Sequence, residues 1–207
     1  MRRTFRIGLT GGMGSGKSSV ARLFKRWGAL WIETDRLAHE ALGKNTAAYR
    51  RIVRVFGKSV LGKAGRMDRK KLGAAVFGDA RKRRRLERMV HPYVFRRVEQ
   101  EIRRRRPPIA VIEVPLLFET GYARRVDRVI TVAADPVRVY ARLKRRGYTP
   151  RQIRARLGAQ WSLALKKKRS DFVILNNNRF RQTARRAREV WNQIKREVVT
   201  YASNQTR

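Results

Sequence analysis

The sequence predicts an α/β protein, a doubly wound five-stranded parallel sheet with a helical insertion and a basic lid. Three observations carry this. A glycine-rich loop, Gly11-Gly12-Met13-Gly14-Ser15-Gly16-Lys17-Ser18, sits between a short apolar run and an amphipathic one. Further apolar runs of strand length alternate with helical patterns down the chain. Between the second and third strands of the chain, over 44–106, the spacing is helical only.

Phe5-Arg6-Ile7-Gly8-Leu9-Thr10 reads as the first strand. Ser18 to Trp27 reads as a helix with Val20, Leu23, Phe24 and Trp27 on one side. The loop between them fits G-x-x-x-x-G-K-[ST], with Gly11, Gly16, Lys17 and Ser18 at the defining positions. Glycines let the backbone turn tightly, so that several N–H groups converge on one anion. The helix N-terminus adds partial positive charge. Lys17 is then expected to reach the β- and γ-phosphates of ATP, and the Ser18 hydroxyl to ligate Mg²⁺. These residues make the expected fold a P-loop NTPase-type sheet.

Ala29-Leu30-Trp31-Ile32 is the second strand and ends at Glu33-Thr34-Asp35. Asp35 reads both as a cap of the next helix and as a base or substrate anchor at a strand end. From 44 to 106 the pattern is helical: Ala48 to Phe56, Lys70 to Phe77, then Ala80 to Val90 and Tyr93 to Arg105, meeting at His91-Pro92, with a loop over Gly57 to Met67. An all-helical insertion here suits a substrate-binding cap. His91 reads chiefly as a hinge or packing residue. Ile109 to Val114 is the third strand, and Glu113 late in it is placed to hold a metal-bound water. Val126 to Val132 is the fourth, followed by a helix capped by Asp135 with Pro136 in its first turn. Thr149-Pro150-Arg151-Gln152 reads as a capping box that opens a basic hairpin, Arg151 to Arg169, broken near Gln160-Trp161-Ser162. Phe172 to Leu175 is the fifth strand. The last helix puts Phe180, Ala184, Ala187, Trp191, Ile194 and Val198 on one stripe, with a frayed tail from Ser203. The expected organisation is one domain, 1–207, with core 1–43, 107–147 and 170–207, insertion 44–106 and lid 148–169.

Composition narrows the class further. At 207 residues and 42% hydrophobic content the chain can bury a core. It has no cysteine, which excludes disulfides and thiolate chemistry. No apolar run approaches the roughly 18 residues of a membrane span, and the apolar stretch after Thr4 reads as a core strand, so a cytoplasmic protein with no membrane partner is expected. Lys+Arg is 53 against 15 Asp+Glu, a net charge of +38. The basic residues are dispersed, which favours solvated faces and a small phosphorylated substrate over a specific nucleic-acid partner, with weak non-specific binding from charge alone.

Ile7 to Val20, Glu33-Thr34-Asp35, Val76-Phe77-Gly78, Val90-His91-Pro92, Val114 to Glu119 (VPLLFE), Gly158-Ala159-Gln160 and Asp171 to Asn177 (DFVILNN) occur in this order. Together they resemble the dephospho-coenzyme A kinase family over nearly the whole chain. That resemblance implies transfer of the ATP γ-phosphate to the ribose 3′-hydroxyl of dephospho-CoA, the last step of coenzyme A biosynthesis. By position it implies ATP and Mg²⁺ at Gly11 to Ser18, a base at Asp35 and phosphate contact at Arg142. It further implies acceptor contacts at Asp35, His91, Pro92 and Leu117, and Asn176 near the adenine end. A monomer or weak oligomer is expected. The chain departs from the family where Phe172 and Leu175 replace usual acids and Asn178 a usual glycine. Another small-molecule kinase shares the loop, the acid and the lid. An RNA-binding ATPase, suggested by charge alone, would need a recognition motif that the sequence lacks.

Overall fold

The computed structural model describes residues 3–177 and 179–204, so Asn178 lies outside the described residues. Its sheet has the order β2-β3-β1-β4-β5, formed by Leu30–Glu33, Ile109–Glu113, Phe5–Thr10, Arg128–Ala133 and Phe172–Leu175 respectively. The pairings of β1 with β3, β1 with β4 and β4 with β5 are parallel. The expected five-stranded α/β sheet is therefore present. The chain divides into two compact units, residues 1–32 with 106–207, and residues 33–105.

In the first unit β1 is central, so both its faces need cover. One is covered by α1 (Lys17–Arg26) and α9 (Phe180–Asn204), whose Val20, Phe24, Ala187, Trp191 and Ile194 pack on Ile7 and Leu9. Phe24 stacks on Trp191 with ring centroids 5.5 Å apart. Burying a side chain of Phe24's size contributes about 1.5–3 kcal/mol. On the opposite face Gly8 leaves room for Leu117, since a Cβ at Gly8 would fall 2.7 Å from Leu117 Cδ1. The helix α6 (Pro136–Arg145) begins at Asp135, whose side chain accepts from the Val137 N–H. The helices α7 (Pro150–Gly158) and α8 (Leu163–Lys168) form the basic hairpin, and the Thr149–Gln152 capping box is formed. The stripe on α9 differs from expectation at its start. Phe180 is 52% exposed and the buried position of that turn is Thr183, because Thr183 serves a hydrogen bond described below. The helix also continues past Ser203 to Asn204.

The second unit holds α2 (Thr34–Glu40), α3 (Ala47–Phe56), α4 (Arg69–Val76) and α5 (Ala80–Arg105). Its core is Ile52, Val60 and Leu72, with Phe56, Met67, Leu86, Met89 and Val90 packed around them. Asp68 accepts from the N–H groups of Lys70 and Lys71, and Asp79 from those of Arg81 and Lys82, so each closes a helix start. The N–H groups of Lys71 and Lys82 are the main cause of the lowered pKa of Asp68 and Asp79 respectively. Glu101 pairs with Arg97, Arg104 and Arg105, and Arg97 also reaches Glu40 on α2. The expected loop 57–67 contains two short 3₁₀ turns and a Leu61–Met67 bridge.

Two expectations about this unit are corrected. The helices expected to meet at His91-Pro92 are one continuous helix, with Pro92 inside it. Proline removes one intrahelical donor there and clashes with the preceding turn, at about 3 kcal/mol in an isolated helix. Packing on both sides offsets this: Leu86, Met89 and Val90 before it, and buried Val94, Val98 and Ile102 after it. Asp35 is not a helix cap either. Glu33 occupies that position, and Asp35 lies within the first turn of α2 with its side chain exposed.

Candidate active site

The glycine loop joins β1 to α1. Gly11 has φ 145°, and a Cβ there would fall 2.2 Å from the Val132 carbonyl oxygen. Gly16, which caps α1, has φ 96°, and a Cβ there would fall 2.1 Å from Asn176 Nδ2. Both positions therefore exclude any side chain, by dihedral and by space. The loop is braced from outside. Asn176 Nδ2 donates to the Ser15 carbonyl at 2.8 Å, and Thr183 Oγ1 donates to Asn176 Oδ1 at 3.0 Å. Arg142 donates to the carbonyls of Gly14 at 3.2 Å and Asn176 at 2.9 Å. Holding the Ser15 carbonyl on this side turns the Gly16 N–H, on the other side of the same planar peptide, the opposite way.

Inside the loop Lys17, only 9% exposed, donates from its ammonium to the carbonyls of Gly11 at 3.1 Å and Gly12 at 3.2 Å. The Ser15 hydroxyl is buried and has no hydrogen-bond partner among the described residues. A buried hydroxyl left unpaired costs about 1–3 kcal/mol, which an incoming acceptor would recover. Ser18 Oγ donates to Glu113 Oε1 at 2.8 Å. Burial first, and then the neighbouring Arg138, Arg145 and Arg146, lower the Arg142 pKa from the usual guanidinium value. A cavity of about 240 Å³ lies between loop residues Gly12, Met13 and Ser15 and hairpin residues Leu157, Trp161 and Lys166.

Of the residues singled out by sequence, the first unit thus brings together Gly11 to Ser18, Glu113, Arg142 and Asn176. Leu117 does not join them. It is fully buried against Gly8 and is a core residue, so its side chain offers nothing to a substrate. Asn176 spends both ends of its amide on Ser15 and Thr183, which makes it a brace of the loop. Asp35, His91 and Pro92 belong to the second unit. There His91 is half-buried, its ring stacked on Phe95 with centroids 5.7 Å apart, and burial lowers its pKa.

Three features escaped the sequence reading. Lys166 is fully buried, with its ammonium 2.9 Å from Glu119 Oε1 and 2.9 Å from the Pro115 carbonyl. Glu119 also accepts from the Trp161 N–H, which ties the hairpin to the segment after β3. Lys166 sits in a run of lysines, so only its burial sets it apart. Trp161 stacks on Phe118 at 5.7 Å with the rings 3° from parallel. Trp31 donates from Nε1 to Glu113 Oε2 at 3.2 Å.

Among the described residues no three His, Asp or Glu side chains gather into a metal-binding group. The pair Ser18–Glu113 nevertheless fits Mg²⁺, a hard cation that takes one or two protein oxygens and completes its shell with water and substrate phosphates. No helix among the described residues is long and apolar enough to cross a membrane.

A glycine loop between a central parallel strand and the helix that follows it belongs to a P-loop kinase fold. A solved shikimate kinase from Acinetobacter baumannii shares that fold, with TM-score 0.51 and 13% identity over 95% of this chain and 96% of its own. The family is narrower. A family model described as dephospho-CoA kinase matches residues 5–182. A dephospho-CoA kinase from Geobacillus kaustophilus is 40% identical over 187 residues, 88% of this chain and 92% of its own. One from Geobacter sulfurreducens is 41% identical over 189 residues, 89% of this chain and 96% of its own. Among solved structures, TT1252 from Thermus thermophilus matches with TM-score 0.83 and 34% identity, covering 92% of this chain and 97% of its own. The chain belongs to the dephospho-CoA kinase family and is an ATP-dependent phosphotransferase.

Proposed function

We propose that the chain carries out its family's reaction, transfer of the ATP γ-phosphate to the 3′-hydroxyl of dephospho-CoA, with the triphosphate held at Gly11 to Ser18. The observation that carries this is the loop itself, which holds buried Lys17 and a buried Ser15 hydroxyl without a hydrogen-bond partner among the described residues, in a backbone braced from outside by Asn176 and Arg142. Polyphosphate oxygens are acceptors that would satisfy both donors. Lys17 exchanges carbonyl partners for β- and γ-phosphate oxygens as charge spreads in transfer. Ser18 and Glu113 would hold Mg²⁺, which when bound neutralises phosphate charge. Arg142 keeps the Gly14 carbonyl turned outward, ties the loop to Asn176 and lends positive charge to the same end.

On the acceptor side, Asp35 orients the hydroxyl and takes its proton, while His91 and Pro92 contact dephospho-CoA. The α7–α8 hairpin acts as the lid, secured by the Lys166–Glu119 pair. The absence of cysteine fits a reducing cytoplasm. We read the chain as a monomer or weak oligomer that binds nucleic acid only weakly and without sequence choice.

A coupled ADP-release assay over dephospho-CoA, adenosine and AMP tests the acceptor. We expect kcat/KM for dephospho-CoA to exceed the others by about a hundredfold or more. Equal rates with AMP or adenosine would move the chain to nucleotide or nucleoside phosphorylation.

A further inference from the structure

Glu113 is a buried carboxylate, 5% exposed, with a donor on each oxygen. Ser18 Oγ occupies Oε1 at 2.8 Å, and the Trp31 indole N–H occupies Oε2 at 3.2 Å. Trp31 lies on β2 and Glu113 on the adjacent strand β3. The ring of Trp31 packs against the main core, so its N–H is delivered by a side chain that is already ordered. Donors on opposite oxygens fix the carboxylate's terminal torsion, because turning it would lengthen both bonds. An indole only donates, so this partner cannot reverse roles with the carboxylate.

We propose that Trp31 is a positioning residue for the metal side of the site: its indole holds the far oxygen of Glu113 so that the near one stays turned toward Ser18. The inference rests on the reading of Ser18 and Glu113 as the pair that faces Mg²⁺. Losing an outer hydrogen-bond partner of this kind typically costs about 10–100-fold in metal affinity or activity. Phosphate contacts made by the main chain and Lys17 do not depend on Trp31, so nucleotide binding without metal should be untouched.

The test compares ADP affinity by calorimetry in Mg²⁺ and in EDTA. It uses the wild type, Trp31→Phe, and a protein with 3-benzothienylalanine at position 31, which keeps the ring's shape but has no N–H. We expect the Mg²⁺-dependent gain in affinity to fall by about tenfold in both variants, with affinity in EDTA within about twofold of wild type. The isostere carries the test alone if Trp31→Phe fails to fold. A full Mg²⁺ gain in the isostere would overturn the inference. An equal loss with and without Mg²⁺ would assign Trp31 to packing alone and overturn it as well. A wild type whose ADP affinity ignores Mg²⁺ would overturn the metal-side reading itself, and this inference with it.

Discussion

Lys17→Ala should lower kcat by about 10²–10³-fold, the effect of removing one preorganised donor from developing charge. The size follows from where the ammonium sits. It is buried within the loop and already within hydrogen-bond reach of two loop carbonyls, so it needs little rearrangement to meet a phosphate. The same change withdraws a donor from the Gly11 and Gly12 carbonyls, so some loosening of the loop is expected alongside it. Steady-state kinetics at saturating ATP separates the two effects, because weaker binding alone raises KM and leaves kcat in place. An unchanged kcat would contradict the assignment of the loop.

Asp35→Asn should reduce turnover by about 10²–10⁴-fold while ATP affinity changes by no more than about twofold. Asparagine keeps the size of the side chain and a hydrogen-bonding oxygen but cannot accept the proton of the acceptor hydroxyl. Asp35 is exposed in the first turn of α2 and has no structural task as a helix cap, so the loss should appear in catalysis and not in folding. Single-turnover phosphate transfer measured beside equilibrium ATP binding reads both quantities. Near-normal turnover would remove Asp35 from the reaction.

Much of this was legible in the residues because it is local. The β1–loop–α1 unit follows from Gly11, Gly16 and Lys17-Ser18 with apolar flanks, and the helix starts at Asp135 and Thr149 follow from capping chemistry. What escaped depends on contacts distant in sequence. Pro92 should end a helix by local rules, yet buried Val94, Val98 and Ile102 carry the helix through it. Phe180 fits an apolar stripe, but the turn presents Thr183 inward because Asn176 needs its hydroxyl. Lys166 looks like one lysine of a solvated run and is instead buried against Glu119. Leu117 lies in the VPLLFE motif, where local sequence does not separate a substrate contact from a core residue, and it covers Gly8. Nothing in the described residues explains the net charge of +38.

In the proposed complex, main-chain amides of the first loop clamp a triphosphate. Amide hydrogen exchange over residues 11–18, with and without Mg²⁺ and a non-hydrolysable ATP analogue, measures those amides directly. Exchange in this segment should slow markedly on nucleotide binding. Exchange that is as fast with the nucleotide as without it, at concentrations where binding is saturated, would contradict it.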